Sequence, residues 1–252
     1  YIFVSAQRRR GEMEEIMIFR RKESIKGKIN IVKDYPFDNE IFTQGLIKYN
    51  NVILVSSGHY NKSFLGQLDL STGKIDNKQK LEDHFFAEGI TYNNSYVIQL
   101  TWKENVAFFR NPKTLKIEKC VQYTGEGWGI CFDGEHLYMS NGSNYVKKIN
   151  NQTFRTEKLL EIFCDGKRLN RLNDLEYYNG YLYANVWKSK YIYKVNLSTG
   201  KTEKIFDCTA LIRFCKRINR NINELNGIAH IKDNYFLISG KNWPRIFLVQ
   251  LL

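Results

Sequence analysis

The sequence has little proline: 3 residues in 252, against 16 Tyr and 16 Phe. That excludes proline-rich linkers and favours strands built on aromatic side chains. The five cysteines (Cys120, Cys131, Cys164, Cys208, Cys215) include no CxxC pair, and the four histidines are scattered at 59, 84, 136 and 230. No zinc template fits such spacings. An odd count excludes a complete set of internal bridges. It leaves room for one pair, Cys208 with Cys215, with buried free thiols as the default. No apolar run reaches the length of a membrane-spanning helix. Membrane attachment would need an anchor upstream of Tyr1, where a signal peptide could also have stood. P-loop and dinucleotide-binding fingerprints are missing. So is any Ser-His-Asp or Cys-His arrangement, which disfavours covalent catalysis.

What is present points to a packed domain. Hydrophobic residues make up 43% of the chain and charged residues 25%, a balance that suits a buried core rather than disorder. The formal net charge is +12. The basic residues are dispersed, with clusters at 8–10, 20–22 and 213–220, and interleave with no recognisable nucleic-acid motif. Nucleic acid is therefore not expected as a partner. Five N-x-S/T sequons begin at Asn61, Asn93, Asn141, Asn151 and Asn196. In a chain rich in Asn they support a secretory route only weakly.

The main signal is an internal repeat. A Gly-Ile-like pair recurs as Gly45-Leu46, Gly89-Ile90, Gly129-Ile130, Asp174-Leu175 and Gly227-Ile228, in steps of 44, 40, 45 and 53 residues. After each copy comes a second strand: LVSSG, IQLTW, YMSNG, YANVW and LISGK. A third follows (LGQLDL, VAFFRN, YVKKIN, IYKVNL, RIFLVQ), and a fourth precedes the next copy. Four strands per roughly 40–45 residues is the pattern of a β-propeller blade. The expected fold is all-β, a five-bladed propeller over 28–252, after an N-terminal extension, 1–27. The fifth copy stops after its third strand. KINIVKDY, at 28–35, alternates like a strand and is expected to close the ring, since an open ring would leave a sheet edge unpaired. Residues 1–25 read as a strand or short helix packed outside. Residues 209–224 read as a basic amphipathic helical insertion before the last blade.

In a propeller the first strand of each blade lines the axis, so equivalent residues ring the channel. The residue before each repeat pair is Gln44, Glu88, Trp128, Asn173 or Asn226. A second ring holds Gly58, Trp102, Gly142, Trp187 and Lys241. Glu126 adds a second carboxylate nearby. Polar and aromatic groups at one level look like a site rather than packing. A carboxylate beside apolar rings is suited to moving protons near neutral pH, and an amide with a lysine can hold an oxyanion.

The strings FTQGL, FFAEGI, QLTWKE, GEGWGI, LNDLEYYNGYLYANVW, LNGIAH and SGKNWP, in this order, resemble the plant and bacterial glutaminyl cyclases over residues 34–252. That family is a five-bladed propeller that converts an N-terminal Gln of a peptide to pyroglutamate and releases ammonia. The resemblance implies Glu88 as general acid/base. It implies Phe42, Gln44, Phe86, Trp102, Glu126, Trp128 and Trp187 as the substrate pocket, and Asn173 with Lys241 on the substrate amide. It implies no cofactor for catalysis, though relatives can hold a structural ion in the channel. It also implies Gln-initiated peptides as partners and a secretory location, in the endoplasmic reticulum lumen or outside the cell. A monomer is expected. Ala87 and Asp174 stand where the family commonly has Gly and Glu, and Ser56 where it usually has an acid. The residues alone leave two other readings open: a non-catalytic propeller that binds peptides at its rim, and a calcium-dependent propeller hydrolase.

Overall fold

The structure is a computed structural model that describes residues 24–252. The strand or helix expected within residues 1–25 falls almost wholly outside the described residues. Five four-stranded antiparallel sheets follow one another. The first blade is Thr43–Tyr49, Val52–Ser57, Phe64–Leu68 and Ile75–Lys80. The second is Ala87–Tyr92, Val97–Thr101, Val106–Arg110 and Ile117–Gln122, and the third Ile130–Phe132, His136–Ser140, Tyr145–Asn150 and Thr156–Glu161. The fourth is Leu172–Tyr178, Tyr181–Val186, Tyr191–Asn196 and Thr202–Asp207. The fifth is Leu225–Lys232, Tyr235–Gly240 and Arg245–Leu251, completed on its outer edge by Ile29–Pro36. Each first strand packs against the first strands of its neighbours, and the fifth meets the first. The molecule is a five-bladed β-propeller closed by its N-terminal strand.

The repeated glycine is a packing requirement. A Cβ on Gly45 would lie 2.6 Å from the Ile90 nitrogen, and one on Gly89 would lie 2.7 Å from the Gly129 Cα. At the first three positions successive inner strands touch backbone to backbone, and only glycine allows that approach; the fourth carries Asp174, and a Cβ on Gly227 would meet the Thr43 side chain at 2.8 Å. In four blades the ladder also bulges at this pair: between Thr43 and Gly45, Ala87 and Ile90, Leu172 and Leu175, and Leu225 and Ile228. A bulge re-aims a side chain out of the strand's alternation. It turns Gln44, Glu88, Asn173 and Asn226, one per blade, toward the channel end.

A second device recurs in the turn between third and fourth strands. Asp69, Asn111, Asn150 and Asn196 each accept a backbone N–H from two residues further on. The residue four positions on takes a positive φ: Gly73, Leu115, Phe154 and Gly200. Two of these are glycines. Leu115 and Phe154 instead tolerate the left-handed backbone because their side chains are buried in the blades;. The sequons at Asn93, Asn141 and Asn196 belong to the same turn chemistry, each Asn oxygen accepting from the Ser two residues on;.

Three features depart from the expectations. The helix is shorter than 209–224: it runs Thr209–Ile218, burying Leu211 and Cys215, and the Asn-rich segment after it turns irregular from Asn219. Cys208 and Cys215 are buried in one cluster but unbridged, and all five cysteines are free thiols, with Cys120 exposed rather than buried. Within the 1–27 extension, Ile25–Gly27 is a strand, parallel to the outer strand of the fourth blade. A small hairpin, Phe163–Cys164 with Lys167–Arg168, also joins the third and fourth blades.

Candidate active site

The bulges bring a chain of polar groups to one end of the channel. Asn226 is fully buried; its Oδ1 accepts the Asp174 N–H at 3.4 Å, so its Nδ2 donates to the Gln44 Oε1 at 3.2 Å. Gln44 Nε2 in turn donates to Glu88 Oε1 at 3.0 Å. Asn226 therefore lies behind Gln44 and orients it, and Gln44 orients Glu88. Glu88 itself is 4% exposed. Burial pushes its carboxyl well above the usual range, opposed by Lys241 and reinforced by Asp174, Glu126 and Glu104;. Lys241 is also 4% exposed, with Nζ 4.7 Å from the Phe42 ring centroid. Burial lowers its pKa, while Glu88 and Glu224 raise it.

An aromatic wall surrounds these groups. Phe42 meets Phe86 edge-on at 6.4 Å, and Phe86 meets Trp102 at 5.5 Å. Trp102 and Trp128 both donate their indole N–H to one oxygen, Glu126 Oε2, at 2.8 and 2.9 Å. Trp187 stands perpendicular to Trp128 at 6.1 Å. Trp128 lies in the loop just before its strand, so Glu126, two residues earlier, is a clamp behind the indoles. Trp243, the fourth tryptophan, is fully buried in the core.

Asn173 is buried at the same level, and its Oδ1 has no hydrogen-bond partner among the described residues. Asp174 takes the place of a ring glycine. One of its oxygens accepts the Ile228 N–H at 3.1 Å; the other has no partner. Burial drives its carboxyl pKa up. Among the described residues no three His, Cys, Asp or Glu converge.

Three neighbours were not singled out as site residues in the sequence, although Glu104 closes the string QLTWKE. His59 packs on Phe42 at 4.1 Å. Tyr60 donates to Glu104 Oε1 at 2.9 Å, and Glu104 Oε2 accepts the Phe86 N–H at 3.3 Å. All three sit next to motif residues, but none lies on a repeat position.

Together the ring, the shielded carboxylate, the buried lysine and the aromatic wall define a propeller with a polar, aromatic-walled site at one end of its channel. Comparison with known proteins narrows the class. The family model described as glutamine cyclotransferase matches residues 5–251. The chain belongs to that family. The glutaminyl-peptide cyclotransferase of Arabidopsis thaliana is 32% identical over 227 residues, spanning 88% of this chain and 71% of that protein. The crystal structure of Myxococcus xanthus glutaminyl cyclase superposes with a TM-score of 0.85 at 29% identity, over 91% of this chain and 98% of that one. The PQQ-bound aldose sugar dehydrogenase of Streptomyces coelicolor matches at a TM-score of 0.55 and 10% identity, over 91% of this chain and 100% of that one, a likeness of fold alone.

Proposed function

We propose that this glutamine cyclotransferase converts the N-terminal glutamine of peptides and proteins to pyroglutamate by general acid–base catalysis at Glu88. The observation that carries the assignment is the buried Glu88 carboxylate, held by Gln44 among aromatic rings. The neutral α-amine attacks the side-chain amide carbon, forming the ring C–N bond and a tetrahedral oxyanion. Glu88 takes a proton from the attacking nitrogen. It returns that proton to the amide nitrogen as the old C–N bond breaks, so ammonia leaves and Glu88 is restored. A carboxyl that burial holds above the ordinary carboxylate range keeps a proton more readily and can serve in both directions;. Lys241 stabilises the oxyanion, a contribution typically of about 10²–10³ in rate. Asn173 Oδ1 accepts a hydrogen bond from a substrate N–H. The tryptophans and phenylalanines exclude water and hold the folded glutamine side chain.

The proposal involves no metal, and it includes a monomeric enzyme, in the secretory pathway that the family resemblance implies. It is tested by mass spectrometry of a Gln-initiated peptide incubated with the protein. Loss of one ammonia is expected, with none from an Asn-initiated control and the same rate in a zinc chelator. Tight binding without mass change would instead mark a binding module. Glu88→Gln keeps an oxygen for Gln44, so it should fold normally and lose about 10²–10⁴ in kcat. A folded variant with wild-type turnover sinks the role of Glu88.

A further inference from the structure

A groove of about 990 Å³ opens beside the site, between the first blade and the loops of the fifth. Gly58 and His59 are among its lining residues. A Cβ on Gly58 would lie 2.5 Å from the Phe86 ring and 2.9 Å from Gln44 Cγ, so the wall there is as thin as backbone. His59 packs on Phe42 and Phe86, with centroids 4.1 and 5.7 Å away. The same imidazole feels the charges of both Lys241 and Lys62. Its surroundings thus include both the buried lysine of the site and a lysine of the groove.

The groove carries Lys62, Lys74, Lys78 and Lys80 against the carboxylates Asp38 and Glu40. Lys80 is paired with Asp83 at 2.7 Å. The other three have no carboxylate within 4.0 Å among the described residues, and Lys78 rests over the Phe64 ring at 4.1 Å. The cations outnumber the acids, and most are not neutralised.

We infer that this groove receives the residues that follow the terminal glutamine, and that its lysines select substrates with Asp or Glu in the first positions after it. This rests on the cyclisation reading above. A chain whose first residue reaches Glu88 leaves past Phe42 and His59, and its second or third side chain then faces Lys62 and Lys78. Such attraction across partly solvated surface acts on binding more than on chemistry.

The test compares kcat/KM for Gln-Glu-Ala, Gln-Ala-Ala and Gln-Lys-Ala peptides, in the wild type and in the Lys62→Glu, Lys78→Glu double variant. Both lysines are exposed, so the variant should fold. For the wild type we expect Gln-Glu-Ala to exceed Gln-Lys-Ala by about tenfold at low salt, through KM, with the difference shrinking in concentrated salt. The double variant should reverse the order of Gln-Glu-Ala and Gln-Lys-Ala, each C-terminally amidated so that the side chain at the second position is the only charge that differs. If Gln-Ala-Ala is cyclised but the wild type shows no acidic preference, the groove assignment is overturned and the cyclase stands. A preference that survives in the variant overturns it too and moves the selectivity to cations elsewhere, such as Arg171 and Lys188 beside Trp187. If Gln-Ala-Ala is not cyclised at all, the cyclase reading fails and this inference with it.

Discussion

Glu126 shows how a residue can serve a site without lying on its ring. One of its oxygens accepts both the Trp102 and the Trp128 indole N–H. Hydrogen bonds to a charged acceptor are worth about 1.5–3 kcal/mol each when shielded, and less where water can replace them. Both indoles are half-buried, so Glu126→Ala should raise KM about tenfold by loosening the aromatic wall. It should leave kcat nearly unchanged, because the proton path through Glu88 is intact. Glu126→Gln keeps an acceptor oxygen and should recover most of the affinity. Steady-state kinetics on one Gln-initiated peptide decides this; a wild-type KM for the alanine variant would show that the indoles hold without the clamp. The sequence placed Glu88, Gln44, Asn173 and Asn226 together because all four precede the repeat pair, where the bulges turn them inward. It did not distinguish Asn226, which orients Gln44, from residues with open access to the pocket. His59 and Tyr60 were not placed because they reach the site from a loop, where no period links position to direction, and Glu104, though inside QLTWKE, lies off the repeat positions.

At the scale of elements, the repeat was legible because close backbone approach holds glycine at the first three inner-strand positions and a positive φ holds it at Gly227, with Asp174 alone breaking the series. The closing strand was legible because a propeller with three strands in its last blade has an unpaired edge. Ile25–Gly27 and the hairpin at 163–168 were not, since elements of two or three residues, mostly exposed, leave no alternation to read. The four Asx turns share no common string, since Leu115 and Phe154 stand where the turns at Asp69 and Asn196 have glycine. The two N-terminal strands should differ sharply in weight. Ile25–Gly27 adds three residue pairs to an outer edge, with Ile25 56% exposed. A chain starting at Lys28 should therefore keep full activity and melt within about 5 °C of the full chain. Lys28 still exchanges both hydrogen bonds with Leu252, at 2.9 and 3.0 Å. A chain starting at Phe37 loses Ile29–Pro36 and exposes the edge of Arg245–Leu251, so it should aggregate or fail to fold. Thermal melts and size exclusion of both truncations test this. A folded, active chain from Phe37 would show that the ring does not need its closing strand.

Across the whole molecule, acids are gathered at the axis of a chain whose formal net charge is +12. Glu88, Asp174 and Glu176 all have carboxyl pKa values raised chiefly by burial, and that of Glu176 reaches about 7. Glu176 also ties two blades, accepting the His230 N–H of the fifth at 2.9 Å. The consequence for stability has a definite sign. Between the ordinary carboxyl value of 4.5 and about 7, the folded state keeps a proton on Glu176 that the unfolded chain releases. Unfolding free energy therefore falls as pH rises through that window, for this group by on the order of 3 kcal/mol at most. His59 and His230 act oppositely, since burial lowers their pKa values and the unfolded chain binds their protons more readily below about 6.5;. The informative quantity is thus the difference between wild type and Glu176→Gln, which keeps an oxygen for His230 but cannot titrate. Urea unfolding at intervals from pH 4.5 to 8 should show the wild type losing stability relative to the variant as pH rises to 7, with a constant difference above it. Parallel curves for the two proteins would mean that Glu176 titrates alike in the folded and unfolded chains. The acids at the axis would then have to be held by hydrogen bonds and neighbouring cations strongly enough to cancel the effect of burial.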